Sequence, residues 1–148
     1  MREANLWCRI PAVFVLFCAP PVFAGECEPT PAMSAGTHYK PITLQRVDIG
    51  SGLLVQGKVL SAADCSPVAG AKIAHWQANS RGVYVDELRV YLYSGKDGGY
   101  RFHTEWPAAF VPHIHFRVSA SGYRPLTTQW VGDEVVDAVR FDIVLEPE

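Results

Sequence analysis

The chain has 148 residues, of which 49% are hydrophobic and 19% charged, with a formal net charge of −2. That length fits one domain with one modest core. Acidic and basic residues are interspersed, so no basic patch points to a nucleic-acid partner, and no strongly amphipathic helix points to a membrane surface.

The first residues differ from the rest. Arg2 and Arg9 precede the apolar run IPAVFVLF, and a Val-Phe-Ala sequence ends at Ala24. Residues 1–24 therefore read as a secretory signal peptide cut after Ala24, which predicts a secreted or periplasmic protein. Pro11, Cys18, Pro20 and Pro21 interrupt the run, which is short for a membrane span. Cleavage leaves Cys27 and Cys65. In an oxidising compartment this even pair suggests one disulfide, tying an N-terminal arm to the turn at Asp64–Pro67. Two unpaired thiols, or a bond from Cys27 to another chain, are the alternatives.

Residues 25–40 are rich in Pro, Thr, Ser and Gly and read as an irregular arm. Residues 41–148 read as one domain of short strands. Gly52–Leu60 sets Val and Leu around a glycine. Ala71–Gln77 alternates, with Ile73 and His75 on one face and Lys72, Ala74 and Trp76 on the other. Leu88–Tyr93, Gly99–Thr104, Val111–Ala120, Leu126–Val131 and Val139–Leu145 complete the set. Turn formers separate the runs: SPVAG, NSRG, SGKDGG, SGYRP and VGDE. This spacing of β-branched and aromatic runs predicts an all-β sandwich. The best helix candidate, Asp133–Val139, is at most two turns.

The most informative stretch is VPHIHFRV, Val111–Val118. In a strand, residues i and i+2 share a face, so His113 and His115 present two imidazoles side by side on a rigid element. Imidazole is a common ligand for zinc, copper and iron. Ile114 and Phe116 then point the other way, into the core.

Taken in order, the motifs resemble those of the intradiol ring-cleavage dioxygenases, which include the catechol and protocatechuate enzymes. Cys27–Pro31 followed by Gly36–Tyr39 resembles the N-terminal segment of secreted members. Gly57–Trp76 resembles their strand, proline turn and Trp-containing strand. Gln77-Ala78-Asn79 leading to Gly82-Val83-Tyr84, then Gly99–Thr104 with Pro107, are similar to further family motifs. His113–Phe116 matches an HIHF motif, Leu126–Gln129 an LTTQ motif, and Phe141–Leu145 the closing strand. The resemblance covers most of the chain after residue 24. It implies a β-sandwich of the intradiol core type. It also implies ferric iron held by two tyrosines and two histidines, and a catechol-type substrate cleaved with O2. Tyr84, His113 and His115 lie where three of the ligands are expected, and Gln129 where the family has a glutamine close to the site, which implies that it either supports the ligands or orients substrate; otherwise it is a strand residue with its own hydrogen bonds.

The chain departs from that pattern at the second tyrosine. Phe110 is the nearest aromatic to its position and has no hydroxyl to offer. No arginine lies between Pro107 and His113 to stabilise negative charge developing on substrate. With one anionic oxygen donor fewer, Fe(III) is the first expectation and copper or zinc the alternatives. A fourth ligand is sought among His38, Tyr39, His75, Tyr91 and Tyr93, with Tyr39 preferred because a disulfide would hold the arm against the sheet. The competing function is a periplasmic metal- or small-molecule-binding protein on the same scaffold, without oxygenase turnover.

Bland roles compete for single residues. The alternative to ligation is that the His pair are two hydrogen-bonded or solvated polar residues on a sheet face, and Tyr84 an aromatic at the rim. His75 and His103 read as structural or surface residues. Trp76, Phe102, Phe116, Phe141 and Ile143 read as core. Trp106 and Trp130 are expected near the mouth of the site. Asp86 and Glu87 read as a solvated loop face.

Overall fold

Apolar side chains recurring at every second position give eight strands: β1 (Leu53–Ser61), β2 (Lys72–Ala78), β3 (Tyr84–Tyr93), β4 (Gly99–Thr104), β5 (His113–Ser119), β6 (Leu126–Val131), β7 (Ala138–Arg140) and β8 (Ile143–Leu145). The computed structural model describes residues 27–148, so the expected signal peptide lies outside the described residues. The strands form two four-stranded sheets. One has the order β4-β1-β7, with β8 also on β1; the other is β3-β2-β5-β6.

The inner faces make the core. Val55, Val59, Tyr100, Phe102 and Ile143 from the first sheet pack against Ile73, Leu92, Ile114, Phe116 and Val118 from the second. Phe102, Phe116 and Ile73 are fully enclosed. Each such side chain contributes roughly 1.5–3 kcal/mol by leaving water. The all-β sandwich expected from the strand spacing is the observed fold.

Three local features differ from the sequence reading. First, β3 begins at Tyr84 rather than Leu88. Tyr84 pairs with Ala78, and a register shift between Trp76 and Ala78 absorbs the extra β3 residues. Bulges of this kind disguise the period-two pattern. Second, the last run splits into β7 and β8, both parallel to β1. Between them Phe141 donates its N–H to Gln56, and its carbonyl lies where a Cβ on Gly57 would sit, 1.9 Å from the built position. Only glycine admits that approach. Third, no helix forms over Asp133–Val139: residues 133–137 are irregular and β7 starts at Ala138.

The arm is irregular, as expected, yet fixed in place. The Cys27–Cys65 disulfide forms, with Cα atoms 5.3 Å apart. From there the arm crosses the outer face of the second sheet. Met33 donates its N–H to Thr127, Thr128 donates its hydroxyl to Pro31, and Gln129 donates its amide to Ser34. At the far edge Arg46 and Leu44 exchange hydrogen bonds with Tyr91. This cover explains why β2 is buried on both faces, with Trp76 as enclosed as Ile73.

Candidate metal centre

The site lies on the outer face of the second sheet, beneath the arm. Cross-strand register aligns its parts: Arg89 on β3 faces Trp76 on β2, Trp76 faces His115 on β5, and His115 faces Gln129 on β6. Paired residues share a face, so all four belong to one surface. Tyr84 joins them through its pairing with Ala78. As expected, Ile114 and Phe116 point inward.

The central contact is between three side chains. The Tyr84 hydroxyl lies 2.9 Å from Nε2 of His113 and 3.1 Å from Nε2 of His115. Val111 accepts a hydrogen bond from Nδ1 of His113 at 2.7 Å. A carbonyl can only accept, so the His113 proton sits on Nδ1 and its Nε2 lone pair is free. Tyr84 then donates to His113, while His115 donates its Nε2 proton to the Tyr84 oxygen. Burial, aided by His113, pushes the His115 pKa down to about 4. Burial also raises the Tyr84 pKa, against an opposing pull from the Arg89 guanidinium.

Neighbouring groups fix the rings. The His115 imidazole stacks on the Trp76 indole with centroids 4.9 Å apart. His38, from the arm, stacks on Tyr84 at 4.2 Å. Arg89, almost wholly enclosed, donates to the His38 carbonyl, and its Nε lies 3.3 Å from Asp86. Asp86 also pairs with Lys40 at 3.0 Å. Asp86 thus anchors the arm, and its carboxylate is engaged by two cations.

The residues fit a metal ion in two respects. One phenol oxygen and two imidazole nitrogens converge within hydrogen-bonding distance of one another. The Nδ1–H of His113 is tied to a backbone carbonyl, the arrangement that orients a ligating imidazole and leaves Nε2 to the metal. Among the described residues no group of three His, Cys, Asp or Glu side chains can hold an ion. The oxygen that stands with the two imidazoles is that of Tyr84, and His38 is not a third imidazole alongside His113 and His115.

The fourth-ligand expectation needs correction. Tyr39 packs edge-on against Trp76, beneath the Arg117 guanidinium, rather than meeting Tyr84. His75 points inward and is enclosed in the core against Phe102. Tyr91 and Tyr93 pack against each other further along β3. Phe110 is fully exposed. His103 pairs with Asp48 at 2.9 Å, and Trp106 packs against Trp130. Gln129 does sit beside His115, with its amide nitrogen engaged by Ser34.

Sequence reasoning passed over Arg89, Trp76 as the bed for His115, and Gly36. The parity of LRVYLY places Arg89 opposite Leu88 and Val90, which was a usable signal. Gly36 touches His115 only through the path of the arm, which leaves no periodic trace.

Fold and site together define a β-sandwich domain with a Tyr-His-His donor set under an N-terminal strap. Comparison with known proteins agrees. No family model matches the chain. Catechol 1,2-dioxygenase 1 of Acinetobacter lwoffii is 31% identical, over 56% of this chain and 37% of that protein. Hydroxyquinol 1,2-dioxygenase of Rhizobium sp. (strain MTP-10005) is 32% identical, over 53% of this chain and 37% of that protein. The chain thus spans little more than a third of these relatives. Among solved structures, the dioxygenase domain of a dioxygenase–carbohydrate-binding protein fusion from Streptomyces sp. SirexAA-E matches with a TM-score of 0.73 and 26% identity. That match covers 82% of this chain and 100% of that one. Sequence and fold establish family-level homology to the intradiol ring-cleavage dioxygenases.

Proposed function

We propose that this protein is a non-haem iron(III)-dependent oxygenase that cleaves catechol-type aromatic diols with O2. The observation that carries the reading is the meeting of the Tyr84 hydroxyl with Nε2 of both His113 and His115, in a domain homologous to the intradiol dioxygenases. Tyr84, His113 and His115 would hold the metal, and bound ferric iron would supply the activation of diol and O2.

The chain's own residues have definable tasks. Tyr84 would give up its proton to a bound metal, because a cation beside a phenol favours the phenolate. The His113–Val111 bond holds one imidazole in the tautomer that ligates. Stacking on Trp76 holds the other. Gln129, flanking His115, is assigned to orienting the diol. The strap excludes water from one side of the donor set. The intramolecular disulfide supports a secreted or periplasmic location, since such bonds persist in oxidising compartments.

A second reading has its own support. Phe110 is fully exposed and no arginine lies between Pro107 and His113, so two groups of the expected catalytic set are missing. On that reading the domain binds copper, zinc or a small molecule without turnover. Elemental analysis, an absorption spectrum and O2 uptake with catechol separate the two. Stoichiometric iron with a tyrosinate-to-iron band and O2 consumption supports the oxygenase. A colourless zinc or copper protein that consumes no O2 overturns it in favour of the second.

A further inference from the structure

Away from the donor set, the outer face of the first sheet carries a cluster of cations that nothing above uses. Register places Arg101 on β4 opposite Gln56 on β1, and Gln56 beside Arg140 on β7. Side chains paired in this way point to one face, so the three form a row across the sheet. Lys58 follows Gln56 on the same face, two residues along β1. These four side chains line a cavity of about 690 Å³ whose wall is completed by Tyr93 and Val47. That size suits a small organic ligand.

The chemistry of the lining is uneven. Arg140 is clamped by Asp142, which accepts from its Nε at 3.1 Å and from a terminal nitrogen at 3.0 Å. Asp142 also accepts the Lys58 backbone N–H at 2.8 Å, so both carboxylate oxygens are engaged and the Arg140 head is held in place. Asp97, the one carboxylate in the lining, turns onto the Gly99 N–H at 3.1 Å. Arg101 senses Asp48, but that carboxylate is held by His103. Among the described residues neither the Lys58 ammonium nor the Arg101 guanidinium has a hydrogen bond or a close ion pair. Two cations without hydrogen bonds therefore share one lining, in a chain whose net charge is negative. Tyr93, half-exposed, borders the cavity from the edge of the second sheet. Val47 is likewise half-exposed.

We infer that this cavity is a second binding site, for a small aromatic carboxylate. The carboxylate is taken by Arg101 and Lys58, and the ring lies against Tyr93 and Val47. A guanidinium offers two parallel donors to a carboxylate, and the neighbouring ammonium adds a point charge. Gln56 supplies an amide for a ring hydroxyl or the second carboxylate oxygen. The site is separate from the donor set: Tyr84 and Tyr93 pair with Ala78 and Lys72 at opposite ends of β2, six residues and roughly 20 Å apart along that strand. The inference stands without the proposed activity.

Calorimetric titration of the purified full chain with benzoate, and with benzyl alcohol as the neutral counterpart, tests it. Saturable benzoate binding is expected, at least tenfold tighter than benzyl alcohol and weakened by added salt. Arg101→Gln and Lys58→Gln should each weaken it at least tenfold with the thermal unfolding midpoint unchanged, and Arg101→Lys should keep part of it. His113→Ala should leave it intact. Absence of saturable binding overturns the inference. So does benzoate binding that survives Arg101→Gln, or that disappears with His113→Ala.

Discussion

The His38 imidazole lies flat on the Tyr84 phenol, the two centroids 4.2 Å apart and the planes within 9° of parallel. One ring comes from an irregular arm and the other from the first residue of β3. The stack therefore transmits the position of the arm to the donor set. An aromatic pair of this kind contributes roughly 0.5–1.5 kcal/mol beyond its buried area. His38→Ala should lower stability by about 1 kcal/mol and weaken metal binding roughly tenfold, the usual effect of losing an orienting neighbour. His38→Phe should restore most of both, since the ring and not its nitrogens does the work. Metal titration of the three proteins checks this; a Phe variant as weak as Ala would show the nitrogens to be required.

Gly36 makes the second contact between arm and site. Its φ is +71°, and a Cβ built on it would lie 3.3 Å from Cε1 of His115. Gly36→Ala meets two penalties, a left-handed backbone and a crowded imidazole. The first alone costs about 1 kcal/mol. Urea unfolding should show a loss of about 1–2 kcal/mol, and the crowding should appear as a shifted His115 ring resonance. An unshifted ring would mean that the arm yields instead.

Much of this arrangement was legible before any coordinates, and the reason is periodicity. Ile114 and Phe116 had to face opposite His113 and His115, because a strand alternates. The same rule put Lys72, Ala74 and Trp76 together on one face of β2. Periodicity also explains the failures. It says nothing of what lies over an outer face, so Trp76 passed for ordinary core although it lies under the arm. The bulge opposite Gln77 breaks the count, which hid the start of β3 at Tyr84. The arm has no period at all, so a disulfide that holds it against the sheet favoured Tyr39 without deciding between Tyr39 and His38. Tyr39 turned to Trp76, and its neighbour took the phenol.

Phe110 occupies the place where a second tyrosine was expected, and a simple repair suggests itself. The structure argues against it. Phe110 is fully exposed in the loop before β5. A hydroxyl added to that ring would enter solvent. Phe110→Tyr should leave metal affinity unchanged within about twofold, no larger than the scatter expected of a neutral surface substitution, and add no phenolate absorption to the metal-loaded protein. A new band would show that the loop folds inward once metal is present.

The disulfide closes a loop of 38 residues between Cys27 and Cys65. Loop-closure entropy assigns such a bond about 4 kcal/mol as an upper figure. Cys27→Ser should cost a substantial part of that. It should also loosen the near end of the arm, where Cys27 donates its N–H to Ala62 and Thr30 donates to Val144. The far end keeps its anchors on Tyr91 and Arg89. Hydrogen exchange should therefore quicken at Thr30 and Met33 more than at Arg46. Uniform quickening would mean the arm detaches as one unit.

His75 gives the clearest dependence on pH. It is fully enclosed, stacked on Phe102 at 3.8 Å, and neither ring nitrogen has a hydrogen-bond partner among the described residues. Desolvation pushes its pKa down from the ordinary 6.5 to about 3. The folded state therefore prefers neutral imidazole, while the unfolded chain takes up a proton near pH 6.5. Stability from this group is complete above that pH and is lost as pH falls towards 3. Between pH 7 and pH 5 linkage gives a loss of about 2 kcal/mol from His75. His75→Leu removes both that dependence and the unpaired nitrogens, whose burial costs about 1–3 kcal/mol. Urea unfolding at the two pH values should show the variant at least as stable as the parent at pH 7, and ahead by a further 2 kcal/mol or so at pH 5. Equal losses in parent and variant would place the acid sensitivity elsewhere, with His115, whose pKa burial also depresses, as the next group to replace.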